Sequence, residues 1–359
     1  MPVPEYRLLM DNHDLAWLLK HPGTDRWFPV EFQAESNQGK AWIGYRGRSS
    51  RWFRKPSFEL CFQRPEEFLG HDRLHLNAAY RDPSMLRARL CLDLFRQIDV
   101  PTPKAWHVSL RLNGEMIGLY TATESVDQSW LTRNGYAEGP IFYAVGNHGT
   151  LGYLDQETGK RKRYLSAGYE YAQAGEDRFS DLESLIHSIV LPDEVAFDKL
   201  IASIVDVERF LRWFIGVEFL AHTDGLVQNY ALFRPRGGRW LISPWDCDAT
   251  LGRLPCGRPQ RGDEMRIGTG TENYLAVRLL ASSVWRPVYR SLWEQLLEDA
   301  LSVQQVTERL YELFHEIRSA GLQDERRRWS DSVFLRQPNE IRHWVVERTQ
   351  RIRAMLSAS

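Results

Sequence analysis

Apolar positions recur along this chain with two different periods, and the switch between them maps its elements. Period-two runs predict strands over residues 6–10, 27–32, 41–45 and 57–62, with a short helix over 14–20 between the first two. Residues 106–112 and 116–123 flank Asn113-Gly114, the strongest short-range signal for a hairpin. Helical spacing takes over at Leu86, Leu90, Leu94, Phe95 and Ile98, behind Asp82 as N-cap and Pro83 in the first turn. Ser180-Asp181-Leu182-Glu183 has capping-box spacing and opens a helix to about residue 190. Asp206 caps a helix to about residue 222, and its apolar positions fall on more than one face, which predicts burial. Short β-prone runs at 229–234 and 239–242, joined through Pro235-Arg236-Gly237-Gly238, read as a second hairpin. Helices over about 273–281, 287–301, 306–320 and 338–355 close the chain, with Trp285, Trp293 and Trp344 as core fillers. Residues 146–178 lose periodicity and read as a long loop, and 253–271 are polar and Gly-rich. Strands early and helices late predict an α+β chain.

Composition narrows the class. With 359 residues, 43% of them hydrophobic, the chain can hold one globular unit of two lobes around a cleft. A formal net charge of -1 gives no support to a nucleic-acid partner recognised through a large basic surface. Arg161-Lys162-Arg163 and Arg326-Arg327-Arg328 are short runs that read as solvated faces. No apolar run approaches the roughly 20 residues of a spanning helix, so no membrane partner is expected. The start, Met-Pro-Val-Pro-Glu-Tyr, lacks the basic and apolar parts of a secretory signal, and a cytosolic chain is expected. Cys61, Cys91, Cys247 and Cys256 are scattered without a CxxC pair and read as reduced thiols.

The candidate chemistry lies between the predicted buried helix and the second hairpin. In protein kinases an Asp of the catalytic loop accepts the hydroxyl proton, an Asn five residues later holds metal, and a further Asp completes the cation site. His222-Thr223-Asp224 with Asn229 keeps that offset, and Asp246 follows the hairpin where the metal Asp belongs. Asp246 and Asp248 are two apart, so in an extended segment both carboxylates project from one face and can grip one cation or a pair. A solvated acidic turn is the plain alternative, against which stand Trp245 and the Ala-Thr-Leu-Gly that follows. Cys247, between the two carboxylates, reads as a buried spectator, the alternative being a thiol whose oxidation inhibits.

These motifs resemble the CotH kinases, atypical protein kinases first associated with bacterial spore coats. The resemblance runs from about Tyr45 to Gly252. It includes Tyr45-Arg46-Gly47-Arg48-Ser49-Ser50-Arg51, Lys55-Pro56-Ser57-Phe58, Asp82-Pro83-Ser84-Met85-Leu86-Arg87, Leu112-Asn113-Gly114-Glu115, Gly118-Leu119-Tyr120 and Glu124. Asn229-Tyr230-Ala231-Leu232 and Pro244-Trp245-Asp246-Cys247-Asp248-Ala249-Thr250 complete it. His222 stands where the family often has Asn. The resemblance implies a two-lobed atypical protein-kinase-like fold, with a β-rich N-lobe over 1–123 and a mainly helical C-lobe over 124–359. The Arg, Gly and Ser loop at 46–51 lacks G-x-G-x-x-G, so the resemblance more than the local pattern makes Arg46 and Lys55 candidates for nucleotide phosphates. Glu124, after the strand that leads to a kinase hinge, is a candidate nucleotide contact. Exposed strand-edge charges and a solvated hinge charge are the respective alternatives. Arg87 is expected on a polar helix face in a surface salt bridge, the alternative being a pair with a carboxylate of the cleft.

The expectation is an ATP-dependent protein Ser/Thr kinase using magnesium or manganese, with Asp224 as base and Asn229, Asp246 and Asp248 at the metal. The resemblance implies autophosphorylation, spore-coat proteins as substrates, Ser-rich and basic ones first, and residence in the mother-cell cytoplasm and spore coat. Three rivals stay open. One is AMP transfer or glutamylation on the same fold. Another is a glycosyltransferase reading of the D-x-D at Asp246-Cys247-Asp248. The last is a non-enzymatic coat scaffold.

Overall fold

Alternation in the N-terminal segments closes a barrel. The computed structural model of the chain describes residues 3–35, 37–47, 50–63, 68, 70–155, 158–172, 179–269 and 272–358. The motif residues Arg48 and Ser49 lie outside these. The first elements are β1 (Glu5–Leu9), α1 (Asn12–Lys20), β2 (Phe28–Ala34), β3 (Asn37–Tyr45), β4 (Phe58–Phe62), β5 (Arg73–Asn77), α2 (Arg87–Gln97), β6 (Ala105–Leu112) and β7 (Glu115–Glu124). The seven strands run in the order β1-β2-β3-β4-β5-β7-β6 and close through a parallel β1–β6 pair. Phe28, Val30, Phe32 and Ala34, every second residue of β2, are buried in the core that this closure creates. Strand β5 is the one barrel strand absent from the sequence reading. Leu74, His75 and Leu76 are all buried, so neither face is polar and alternation gives no signal.

Beyond the barrel come α3 (Gln128–Arg133), β8 (Ile141–Ala144), β9 (Tyr169–Tyr171), α4 (Phe179–Ile189), α5 (Glu194–Ile204) and α6 (Val207–Leu220). They are followed by β10 (Tyr230–Phe233), β11 (Leu241–Pro244), α7 (Tyr274–Ala281), α8 (Trp285–Glu298), α9 (Val303–Gln323) and α10 (Asp331–Ala358). The hairpin expected around Pro235–Gly238 forms as β10–β11, and β8 and β9 extend it to a four-stranded sheet ordered β11-β10-β8-β9. Strand β9 lies inside the stretch expected to be a loop. Lys162, expected in a solvated run, is buried there and donates to the His148 carbonyl and to Thr150 Oγ1.

The chain divides into two compact units. One holds Met1–Leu90, Pro103–Ser125 and Glu308–Glu340; the other holds Cys91–Thr102, Val126–Thr307 and Ile341–Ser359. The mixture of strand and helix is as expected, and the barrel unit, which leaves out 91–102, also takes in 308–340. Lys55 supplies the physical reason. Its side chain is fully buried, and its ammonium donates to the Leu119 carbonyl and, at 2.6 Å, to Asp324 Oδ2. Asp324 Oδ2 also accepts the Leu119 N–H at 3.0 Å, and the Tyr120 ring lies 4.8 Å from the ammonium. Gly118 makes room: at φ +126, any Cβ would meet the Asp324 carboxylate at 2.5 Å. Gly118→Ala is therefore expected to lower the unfolding free energy by more than the roughly 1 kcal/mol of a typical substitution, measured by denaturant titration.

Two sequence expectations are corrected in the same unit. Arg87 is not on a surface: it is buried, and its guanidinium is held by Asp82, by Ser84 Oγ at 3.1 Å and by Gln337 at 3.3 Å. Asp82 caps the chain from a distance, accepting the N–H groups of Ser84, Leu86 and Arg87, so α2 starts at Arg87 rather than at Pro83.

Candidate active site

Asp224, Asn229 and Asp246, nominated as base and metal ligands, lie together in the second unit, at the open end of one ladder. Asp206 caps α6 by accepting the Arg209 N–H, and the helix is terminated by Ala221 in the left-handed region at φ +50. The chain then turns through His222 and Asp224. Three fixed points hold the following stretch. The Leu226 carbonyl accepts from Asn273 Nδ2 at 3.1 Å, the Val227 carbonyl accepts the Gly149 N–H at 2.9 Å, and Asn229 N–H donates to the Ala144 carbonyl at 3.2 Å. The last bond continues the β8–β10 ladder. On the other side the Trp245 N–H donates to the Asn229 carbonyl at 2.8 Å, which extends β10–β11 by one pair and puts Asp246 beside Asn229 at the same ladder end.

Within this frame Asp224 Oδ2 accepts from Asn229 Nδ2 at 3.2 Å and from Gln228 Nε2 at 3.1 Å. With its amide nitrogen so engaged, Asn229 keeps its carboxamide oxygen for another partner. Asp224 Oδ1 is 3.2 Å from Nδ1 of the buried His222, close enough for an ion pair but not aligned as a hydrogen bond. Burial alone would raise the Asp224 carboxyl, but His222 and then Gln228 outweigh it and hold the group below the usual carboxylate range. His222, against its own burial, is held well above the ordinary imidazole value by Asp224 and next by Cys247. Asn229 and Asp246 both have left-handed backbones, at φ +62 and +49. Asn and Asp tolerate that region better than other side chains with a Cβ, and its use at two adjoining positions marks a place where geometry is imposed.

Cys247 is buried between the two half-buried carboxylates Asp246 and Asp248. Burial first, and its neighbour Cys91 next, push its thiol well above the ordinary range. That agrees with the spectator reading. Asp248 lies two residues beyond Asp246. Among the described residues no group of three His, Cys, Asp or Glu side chains is arranged to hold a metal. Magnesium does not require such a cage: it is usually held by one or two carboxylates, the remaining positions going to water and substrate phosphates. The Asp246 carboxylate and the Asn229 carboxamide oxygen, at one ladder end, fit that donor set.

The three barrel-unit candidates fare differently. Lys55 is withdrawn from phosphate contact because its ammonium is sealed against Asp324 and Leu119. Glu124 is neither solvated nor open, since its buried carboxylate accepts the Lys104 N–H at 2.8 Å and lies 3.8 Å from His71 Nδ1. Arg46 is half-buried, and its charge, after burial, helps to hold the His75 imidazole well below its ordinary value. Glu272, just ahead of α7, is exposed; desolvation by the protein around it first and the charge of Asp224 second hold its carboxyl above the usual range.

Helices α6 and α10 hold Gly262, Met265 and Gly268 of the polar, Gly-rich stretch. Glu218, buried on α6, accepts the Gly268 N–H and the Tyr289 O–H, each at 2.6 Å. Arg348 donates to the carbonyls of Gly262, Met265 and Glu218. Burial raises the Glu218 carboxyl from 4.5 to about 8. A carboxyl raised on folding favours the folded state fully below its unfolded value, and that contribution is lost as pH rises through the folded value. The unfolding temperature is therefore expected to fall between pH 5 and pH 8–9, across the interval from 4.5 to about 8, and Glu218→Gln should flatten the profile. Thermal melts across this range check it.

A family profile described as CotH kinase protein matches residues 43–352. The inner spore coat protein H of Bacillus subtilis (strain 168) is 32% identical over 356 residues, which cover 99% of this chain and 98% of that protein. An inner spore coat protein H-like protein of the same organism is 24% identical over 274 residues, 75% of each chain. Among solved structures, the Helicobacter pylori proinflammatory kinase CtkA aligns over 94% of this chain and 92% of its own, with 10% identity and a TM-score of 0.35.

Proposed function

The chain belongs to the CotH kinase protein family, with the kinase-like function this implies, and from that premise we propose an ATP- and divalent-metal-dependent protein Ser/Thr kinase that also phosphorylates itself. The observation that carries the proposal is the hydrogen bond between Asp224 and Asn229 beside Asp246 at one ladder end. Asp224 receives the proton of the attacking hydroxyl. Its depressed pKa makes it a weak base, which suits a loose phosphoryl-transfer transition state in which positioning matters more than proton abstraction. His222 and Gln228 fix the carboxylate for that purpose. Asn229, Asp246 and Asp248 would hold magnesium or manganese, which supplies charge neutralisation to the phosphates. A two-lobed kinase-like fold and Arg46 as a phosphate contact belong to the same proposal.

Basic Ser-rich coat proteins are the proposed substrates, and the spore coat and mother-cell cytoplasm the proposed location. The similarity to inner spore coat protein H supports this. Among the described residues no helix is long and apolar enough to cross a membrane. Incubation with ATP labelled in either the γ- or the α-phosphate tests the reaction. Label entering protein from the γ position alone is the expected result; transfer from the α position would mean AMP transfer and overturn the proposal.

A further inference from the structure

The second unit carries a cleft far richer in positive charge than the molecule as a whole. Its volume is about 480 Å³, and its walls come from residues 266–269, α7, α8 and the end of α10. Arg266, Arg286 and Arg290 line it together with Leu280, Tyr289 and Met355. Arg290 donates to the Leu356 carbonyl at 3.0 Å. Arg266 and Arg286 are exposed, and among the described residues neither guanidinium has a hydrogen-bond or ion-pair partner. Three guanidinium groups about an apolar floor, in a chain of net charge -1, suit a ligand that is anionic and apolar at once.

We propose that this cleft binds a peptide segment carrying a phosphorylated serine or threonine next to an apolar side chain. A phosphoryl group brings close to two negative charges and three acceptor oxygens, which two free guanidinium groups can meet; one carboxylate brings half that charge. The apolar floor is the argument for a peptide over a free anion. The stretch bearing Arg266 is tied down on both sides before binding: the Met265 carbonyl accepts from Arg348 and the Gly268 N–H donates to Glu218. Glu218 also holds the Tyr289 hydroxyl, so two groups lining the cleft are anchored to α6, the helix that leads into His222 and Asp224. A phosphorylated product of the proposed reaction would thus be retained on the enzyme that made it. This use rests on the kinase reading, whereas binding itself does not.

The test uses the full chain without nucleotide or metal, and a fluorescent pool of peptides with a fixed phosphoserine flanked by leucine and otherwise mixed positions. Anisotropy is expected to show at least about tenfold tighter binding than for the same pool with serine. R266E/R286E, both at exposed positions and checked for an unchanged melt, should reduce phosphopeptide binding to the serine level. Asp246→Asn should bind as wild type, which separates this inference from failure of the kinase reading. Equal binding of the two pools, undiminished binding by R266E/R286E, or displacement by inorganic phosphate at concentrations equal to the peptide would each overturn the proposal.

Discussion

Asp246→Asn should reduce phosphoryl transfer by at least about 100-fold, ~3 kcal/mol of transition-state stabilisation, while leaving the melt and the circular dichroism spectrum unchanged. The size follows from the chemistry, since phosphoryl transfer depends on charge neutralisation, and a lost carboxylate at the cation is not replaced by water held in the same place. The choice of Asn follows from the backbone. Asp246 sits at φ +49, a conformation that Asn tolerates and Ala tolerates less well, so Asp246→Ala would mix backbone strain with lost metal affinity. Steady-state kinetics at several magnesium concentrations separate the outcomes. If kcat is unaffected at saturating metal and ATP, Asp246 is not a ligand.

Lys55→Met should destabilise the fold by about 3–5 kcal/mol, the loss expected when one partner of a buried ion pair is removed and the other charge is stranded. Asp324 would be left without its ammonium, keeping only backbone N–H donors such as that of Leu119. Lys55→Met combined with Asp324→Leu should recover much of the loss, because replacing both charges by apolar groups is often neutral or better. Urea titrations of the single and double variants measure this. A Lys55→Met chain that folds as wild type but fails to bind ATP would instead restore the phosphate-contacting lysine that the sequence suggested.

The contrast between these two residues shows what was legible beforehand. Asp224 and Asn229 are five residues apart, and a short turn between a capped helix and a strand leaves few ways to arrange them, so spacing carried the information. The same holds for the Asn113-Gly114 hairpin and for the Asp206 cap. Lys55 meets Asp324 across 269 positions and Arg87 meets Gln337 across 250, distances over which no local pattern constrains a side chain. Burial of charge was therefore the systematic omission: Lys55, Arg87, Glu124 and Lys162 were all read as exposed or open and are all buried with partners. Their motifs, Lys55-Pro56, Asp82 to Arg87 and Gly118-Leu119-Tyr120, turn out to form the internal polar joints of the barrel unit. Strands β5, β8 and β9 were missed because their pairing is non-local and, in β5, because both faces are covered.

In the proposed kinase, Asn229 and Asp246 bring their oxygens to one divalent ion at the phosphates of a bound nucleotide, with Asp224 adjoining. Crystals grown with manganese and a non-hydrolysable ATP analogue test it through the anomalous signal of the metal. The expected result is a manganese peak within bonding distance of an Asp246 carboxylate oxygen and the Asn229 carboxamide oxygen, with the analogue's phosphates on the same ion. Manganese and nucleotide bound elsewhere, with both side chains free of metal, would contradict it.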